Sequence, residues 1–238
     1  MLISPSFLFR EESAIGEGKS GRQLISEHAL AARLSYFLWS TMPDDELFKL
    51  ASSNQLRANL PAQIARMIAD SRANQFVENF SGQWLQLRNL SGTFPNAKQF
   101  ETYYENKLAG LMRKETEMLF ANVLKENLPV STLLTADFTF INEKLAAHYG
   151  IPDVKGNEFR KVSLQGTPRR GIFGHGSILT LTSYPNRTSP VLRGQYILEN
   201  ILHTPAPPPP PNVPQLTPPG GARHPAKTRA GRQDLTQR

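Results

Sequence analysis

The sequence predicts a mainly α fold on three observations. Apolar residues recur at spacings of three and four through most of the first 150 residues, as they do on the buried face of a helix. Residues that begin or end helices, such as Ser26, Pro61 and Gly150, separate these segments. One segment, residues 159–164, has the composition of a short strand. We therefore expect a helical bundle, a short strand element, a smaller helical module, and then a polyproline segment with a disordered tail.

The order of these segments predicts four regions along the 238 residues. Residues 1–23 are expected to be the end of an upstream module and a loop, and residues 24–153 a helical domain. Residues 168–214 should form the smaller helical module with its proline run, and residues 215–238 a disordered basic tail.

Composition excludes several classes of function. The chain contains no cysteine, which excludes disulfides, thiolate metal sites and covalent haem attachment within it. No apolar run approaches the roughly 20 residues that span a bilayer, and the N-terminus lacks the features of a signal peptide. The formal net charge is +7, but much of it falls after Gly221. A solvated tail explains that charge better than a nucleic-acid-binding surface, so no nucleic acid is expected as a partner.

Each helix of the expected bundle has its own start signal. The first begins after Ser26, a good N-cap, and the second at Pro43, where proline and the three acids that follow suit a first turn. The third begins at Pro61 and the fourth after Asp70. Two of these helices show apolar residues at helical spacing. Those of the first, Leu30, Leu34, Phe37 and Leu38, fall on one face, and those of the fourth, Phe76, Val77, Phe80, Trp84 and Leu87, form a stripe that we expect to be buried.

The longest helix is expected at about residues 103–125, with a carboxylate on or beside its apolar stripe. Glu115 lies between Leu111 and Leu119, and a buried carboxylate needs a partner. Three interpretations remain open. Glu115 pairs with Arg33 beside the first helix, it is solvated at the margin of the stripe, or it is a catalytic carboxylate.

The following residues predict a short helical turn at 129–134 and a helix that Asn142 caps and Gly150 ends. His148, near the end of that helix, is a lone histidine, for which we favour a structural role over metal binding. The glycine-rich segment at residues 171–176 matches neither the dinucleotide fingerprint nor the Walker loop. It contains His175, a further candidate catalytic residue.

Residues 182–214 join a polar loop, a short amphipathic helix and a proline run. Ser189 can cap a helix that begins at Pro190. Backbone N–H and guanidinium groups at its start could hold a carboxylate or phosphate, or the arginines could anchor the loop internally, which we favour. The prolines at 207–211 predict a polyproline II spacer or docking strap. The residues of this candidate binding group are Arg187, Thr188, Ser189 and Arg193.

Five segments of the chain resemble one family of bacterial proteins. They are RLSYFLWSTMPDDEL (33–47), ENFSGQWLQLRNL (78–90), MRKETEMLFANVL (112–124), LLTADFTFINEKLAAHYGIP (133–152) and LTSYPNRTSPVLRGQYILENILHTPAPPPPPNVP (181–214). The family comprises large extracytoplasmic proteins of planctomycetes and related bacteria. Residues 24–153 resemble its domain of unknown function 1592, and residues 168–214 the start of domain 1588, which are also called planctomycete cytochrome-associated domains.

The resemblance implies a periplasmic or secreted protein whose partner is a c-type cytochrome or another extracytoplasmic protein. Family members usually continue after the proline run into a CxxCH motif with a nearby methionine, so haem c is implied for the intact family protein. For this chain alone we expect no cofactor and no metal. After Leu216 the chain departs from the family pattern, which we interpret as a truncated gene or a frameshift. The family establishes no catalytic residues.

Three hypotheses on function follow. The first is a non-catalytic scaffold or docking module for electron transfer in a cytochrome-associated extracytoplasmic protein. The second is a hydrolase or oxidoreductase that acts on a complex polymer, with Glu115, His175 and Arg187 lining one cleft. The third is a helical interaction module whose partner docks on the proline run and on the loop that carries Arg187 and Arg193.

Overall fold

Four helices lie between residues 27 and 84 of the described part of the chain, and they start close to the residues that the sequence predicted as helix starts. In the computed structural model, which describes residues 14–17 and 23–207, the Ser26 hydroxyl accepts a hydrogen bond from the backbone of Ala29 and so caps the first helix. Asp44 caps the second through the N–H of Leu47, so Pro43 precedes this helix and does not begin it. The helices are α1 (Glu27–Trp39), α2 (Asp45–Ser52), α3 (Leu60–Ala69) and α4 (Asn74–Trp84), with 3₁₀ turns at Ser71–Ala73 and Leu87–Gly92.

The later helices are shorter, apart from one that crosses the interior. They are α5 (Glu101–Glu105), α6 (Leu108–Lys125), α7 (Thr132–Thr135), α8 (Glu143–Tyr149), α9 (Gly176–Leu181) and α10 (Pro190–Tyr196), with a 3₁₀ turn at Ile172–Gly174 and a π-helical turn at Ile197–Ile201. The predicted caps Asn142, Ser189 and Gly150 are confirmed. The prediction of one unbroken helix at 103–125 is wrong, because Lys107 adopts a left-handed conformation (φ 51°) between α5 and α6. This break brings α5 and the start of α6 into the same apolar cluster.

Within the described residues, three pairs of short antiparallel strands accompany the helices. They are β1 (Ala14–Glu17) with β2 (Gln23–Ile25), β3 (Phe138–Ile141) with β4 (Arg160–Ser163), and β5 (Ser183–Tyr184) with β6 (Arg187–Thr188). The strand predicted at 159–164 is confirmed as β4, and its Ser163 lies opposite Phe138. The loop predicted within residues 1–23 is wrong in part, because β1 falls within that range. The predicted mainly α class is confirmed.

Helix α6 contributes to two of the three apolar clusters of the interior. Leu108 and Met112, near its start, pack in a cluster with residues of β3 and α8. Leu119 and Val123, near its end, pack in another with residues of α9 and α10. The third cluster lies among α1, α2 and α3 and includes Trp39. Residues that come before α5 and residues that come after it therefore share one interior.

The described residues up to Thr204 form one compact unit, and residues 205–207 belong to a second. Of the second unit, the structure describes residues 205–207. The polyproline run beyond residue 207, the predicted disordered tail, and residues 1–13 and 18–22 lie outside the described residues. The predicted domain boundaries stay a prediction.

Trp39 sets the rotation of α1 about its axis. Its indole N–H donates a hydrogen bond to the Met67 carbonyl at 2.9 Å, and the Arg72 guanidinium lies 3.4 Å from its ring centroid. This orientation buries Ala31 and Leu38 and leaves Phe37 61% exposed. Phe80 on α4 is 41% exposed. The prediction that Phe80 is buried is therefore wrong.

Gly171 generates the first testable prediction, because its backbone conformation (φ 45°, ψ −160°) is open only to glycine. A Cβ added there would lie 2.4 Å from backbone atoms of Leu133 and Leu134. We expect Gly171→Ala to lower the free energy of unfolding by roughly 2–5 kcal/mol, from strain and steric overlap together. Urea denaturation followed by circular dichroism measures this change.

The matched control is Gly110→Ala in α6, where an added Cβ has nothing within 4 Å. This variant should raise the free energy of unfolding by about 0.5–1 kcal/mol, because alanine suits a helix interior better than glycine. Equal effects of the two substitutions would contradict the assignment of strain to position 171.

Candidate functional site

A group of polar side chains is buried where α6 passes between its two apolar clusters. We call it the buried polar network, and four parts of the fold supply it. Two of its members, Glu115 and His175, were predicted as candidate site residues, and each is 1% exposed. The members are Glu115 and Thr116 on α6, Thr139 on β3, Tyr149 at the end of α8, and His175 and Ser177 at the start of α9.

The Glu115 carboxylate is held by hydroxyl groups. Thr139 donates a hydrogen bond to Oε1 at 2.6 Å, and Tyr149 donates one to Oε2 at 2.5 Å. The guanidinium of Arg169 lies 3.9 Å from the Tyr149 ring centroid, so a positive charge faces this side of the network. Arg33, which we considered as a partner, lines a separate hollow with apolar residues of α1 and α3. Glu115 is therefore buried, and hydroxyl donors satisfy its carboxylate.

His175 connects the hydroxyl groups of two elements. Its Nδ1 lies 2.9 Å from the Thr116 hydroxyl, and its Nε2 lies 3.4 Å from the Thr139 hydroxyl and 3.8 Å from Oε1 of Glu115. The Thr116 hydroxyl in turn lies 2.7 Å from that of Ser177. These distances join both sides of the imidazole to hydroxyl groups.

One placement of the hydrogens satisfies every group of the network. With the imidazole hydrogen on Nε2, His175 donates to Thr139, which donates to Glu115. Thr116 then donates to Nδ1, and Ser177 donates to Thr116. A second branch runs from the Gly176 N–H to the Tyr149 hydroxyl at 2.7 Å and on to Glu115. Both branches end on the ionised carboxylate, so the network is satisfied when Glu115 is charged and His175 is neutral.

Burial sets the protonation of both titratable residues. It raises the pKa of Glu115 to about 7, against the opposing effects of the two hydroxyl donors and the Arg169 charge. Burial also lowers the pKa of His175 to about 3, and the Arg169 charge acts in the same direction. At neutral pH the imidazole is therefore uncharged, and Glu115 is the group of the network that gains or loses a proton near this pH.

The geometry of the network suits a structural role better than attack on a substrate. Carboxyl groups with a pKa near 7 often serve as general acids or bases. A catalytic group must also reach the substrate within hydrogen-bond distance, however. Glu115, Thr139 and His175 are enclosed by protein. Every polar atom of the network has a partner inside the protein, and the hydrogen bonds between these partners link α6, β3, α8 and α9.

The third candidate catalytic residue, Arg187, lies at the surface in a cleft of ≈ 370 Å³ that it shares with Thr188. Its guanidinium lies 4.6 Å from the ring centroid of Tyr184 across the β5–β6 hairpin. Arg187 forms no hydrogen bond or ion pair with Glu115 or His175. The structure thus joins two of the three candidates in the interior and places the third in an open cleft.

Ser189 and Arg193 of the candidate binding group have partners within the fold. Ser189 is buried and accepts a hydrogen bond from the N–H of Leu192 at 3.2 Å. Arg193 donates one to the Thr182 hydroxyl at 3.4 Å. Both contacts lie within the fold.

Sequence reasoning missed most of the residues that surround Glu115 and His175. Thr139 had a signal, since a strand at residues 138–141 places it on the same face as the buried Ile141. Tyr149 and Arg169 had none, because their positions depend on how α8 and the following loop pack. Among the predicted residues, His148 borders the Arg187 cleft.

Two classes of feature are not found in the described residues. Residues 14–17 and 23–207 contain no group of three or more histidine, aspartate and glutamate side chains placed to hold a metal ion. No helix in this part of the chain is both long and apolar enough to cross a membrane. A covalently attached haem does not fit this chain, because its sequence has no cysteine to form the thioether bonds.

Comparison with known proteins identifies two family models. The model of PSD4, described as a protein of unknown function (DUF1592), matches residues 25–151. The model of PSCyt3, described as a protein of unknown function (DUF1588), matches residues 169–238. The second range includes the tail that we expected to depart from the family. The resemblance stated from the sequence is confirmed, and no curated protein or solved structure matches the chain.

Glu115→Gln tests the protonation of the network. The folded chain keeps the Glu115 proton up to about pH 7, whereas the unfolded chain releases it near the ordinary value of 4.5. The folded state therefore binds more protons between these pH values, and its stability falls as pH rises through them. The difference in free energy of unfolding, wild type minus Glu115→Gln, should fall by roughly 3 kcal/mol between pH 4.5 and pH 8. Urea denaturation across this range measures the difference.

Glu117→Gln is the matched control on the same helix, because Glu117 pairs with Arg113 through a contact of 2.6 Å outside the network. This variant should follow the pH dependence of the wild type. Parallel curves for the wild type and Glu115→Gln would show that Glu115 does not exchange the proton.

Proposed function

The chain belongs to the family of proteins of unknown function DUF1592, and from this premise we propose that it is a docking module for a c-type cytochrome in an extracytoplasmic electron-transfer assembly. The name of the second matched family, PSCyt3, supports an association with cytochromes. A periplasmic or secreted location is part of the proposal, since c-type cytochromes work outside the cytoplasm in the family that the chain resembles.

A row of aromatic rings, of which Phe37 and Phe80 are exposed and the others half-buried, carries the proposal. We call it the aromatic strip, and it crosses α1, α4 and α6. Neighbouring rings have centroids 5.0–6.4 Å apart, within the range of favourable aromatic contacts. Its members are Phe37, Phe76, Phe80, Trp84 and Phe120.

Apolar surface continues from both ends of the aromatic strip. Beside Phe80 and Trp84 lies a hollow of ≈ 410 Å³ that the exposed Val130 borders. Beyond Phe37 lies a second hollow, lined by Leu34 and other residues of α1 and α3. Soluble monomers rarely expose a continuous apolar surface of this kind unless it contacts a partner. Aromatic residues are also enriched at the energetically important centres of protein interfaces.

Docking accounts for the geometry better than catalysis does. The network around Glu115 has the pKa of a general acid or base, which is the one observation that favours an enzyme. Its side chains are enclosed, however, and Arg187 lies apart from them in the open cleft. An enzyme acting on a polymer would need these groups to meet at a surface. The third hypothesis placed the partner on the proline run, most of which lies outside the described residues.

The test is binding to purified soluble c-type cytochromes. Redox partners often form small interfaces that bury less than about 1,200 Å² in total, so we expect weak but saturable binding. Titration of ferric cytochrome with the chain, followed by shifts of the haem methyl signals in NMR, measures the dissociation constant. The double variant Phe37→Ser/Phe80→Ser should weaken binding at least about tenfold, because it removes both exposed centres of the strip.

Phe94→Ser is the matched control, since Phe94 is 68% exposed and lies outside the aromatic strip. This control should bind as the wild type does. Failure of every cytochrome in the panel to bind would overturn the proposal. Equal weakening by the strip variant and the Phe94 control would remove the strip as its basis.

A further inference from the structure

The cleft that contains Arg187 has walls held in place by hydrogen bonds. One wall is the β5–β6 hairpin, and the other is formed by residues 93–103. The N–H of Asn96 donates to the Pro185 carbonyl at 2.7 Å and joins the two walls. The Tyr104 hydroxyl donates to the Pro95 carbonyl at 2.5 Å and supports the second wall. A volume of ≈ 370 Å³ lies within the range of small-molecule sites, about 300–1,000 Å³.

The charges that line the cleft favour an anion. No aspartate or glutamate is among the residues that line it, whereas Arg187 is. Within the part of the chain that the structure describes, the Arg187 guanidinium contacts the Tyr184 ring and no carboxylate. Its N–H donors are therefore available to a ligand, and a guanidinium binds a carboxylate through two parallel hydrogen bonds.

Tyr103 supplies a second and independent indication of a ligand. It lines the cleft and is only 7% exposed. Its hydroxyl is buried and has no hydrogen-bond partner among the described residues. Buried polar groups in folded proteins almost always have a partner. The hydroxyl is uncharged at neutral pH, because burial raises the pKa of Tyr103, so it can either donate to a ligand or accept from one.

The lining of the cleft also includes apolar side chains. Phe100, Met112 and Leu179 line the cleft together with the Tyr184 ring. A small ligand body with apolar faces, either an aromatic ring or the face of a sugar ring, suits such a lining. Ligands of both types would carry a carboxylate at one end and a hydroxyl group at another position.

We propose that this cleft binds a small hydroxylated carboxylic acid, whose carboxylate pairs with Arg187 and whose hydroxyl group forms a hydrogen bond with Tyr103. The proposal does not rest on the docking function, because it uses neither the aromatic strip nor a cytochrome. It assigns a role to the exposed arginine and to the unpartnered tyrosine hydroxyl.

The experiment is isothermal titration of the full chain with two hydroxy acids, 4-hydroxybenzoate and D-glucuronate. These probes distinguish an aromatic from a sugar body, and we expect at least one to bind. The matched ligands 4-hydroxybenzyl alcohol and D-glucose lack the carboxylate, and benzoate lacks the hydroxyl. Loss of the carboxylate should weaken binding at least about tenfold, as expected for a charge-assisted bidentate pair. Failure of both acids to bind would overturn the proposal.

Arg187→Gln should abolish the preference for the carboxylate. Arg193→Gln is its control, because Arg193 bonds to Thr182 and does not line the cleft, and it should keep the preference. Equal affinities of the two variants for the acid would contradict a role for Arg187.

Tyr103→Phe separates ligand binding from stability. The variant should bind the hydroxy acid about three- to tenfold more weakly, as expected for one lost hydrogen bond. Its melting temperature without ligand should not fall, because the substitution removes a hydroxyl that has no partner. A merely structural tyrosine would show the reverse pattern, with unchanged affinity and a lower melting temperature.

Discussion

The burial of one carboxylate organises the middle of this fold. Glu115 lies on α6 between two apolar clusters, where a charge without partners would be very costly. The donors that satisfy it come from β3 and from the end of α8. The residue before α9 joins the same group through its imidazole. These elements must therefore pack around α6 at fixed positions, and apolar contacts fill the space on either side.

The interior network and the two surface features on which the proposals rest use different residues. The buried polar network is satisfied internally and enclosed, so it specifies the packing of the helices around α6. Two further features lie at the surface of the described residues. One is the aromatic strip, and the other is the cleft with an arginine that has no carboxylate partner among the described residues. Both proposals for function rest on these surfaces.

The sequence-based predictions were accurate where they depended on residues close together in the chain, and less accurate where they depended on residues far apart. Caps such as Ser26 and Asn142 were predicted correctly, because each bonds to a backbone N–H three residues away. Glu115 attracted attention because a carboxylate beside an apolar stripe is unusual. The break at Lys107 had no local signal, since it is neither glycine nor proline. The exposure of Phe37 depends on how Trp39 bonds to α3. The periodicity of a single helix gives no information about that contact.

The sequence by itself determined the helical class, most helix ends, the family, and the absence of cysteine chemistry. These follow from short-range periodicity, from single capping residues and from composition. Only the tertiary structure decided that Glu115 and His175 meet, that Arg187 lies apart from them, and that the buried hydroxyl of Tyr103 has no partner among the described residues. Such contacts join residues that are far apart in the chain. Their geometry depends on the packing of whole helices, and no local pattern encodes it.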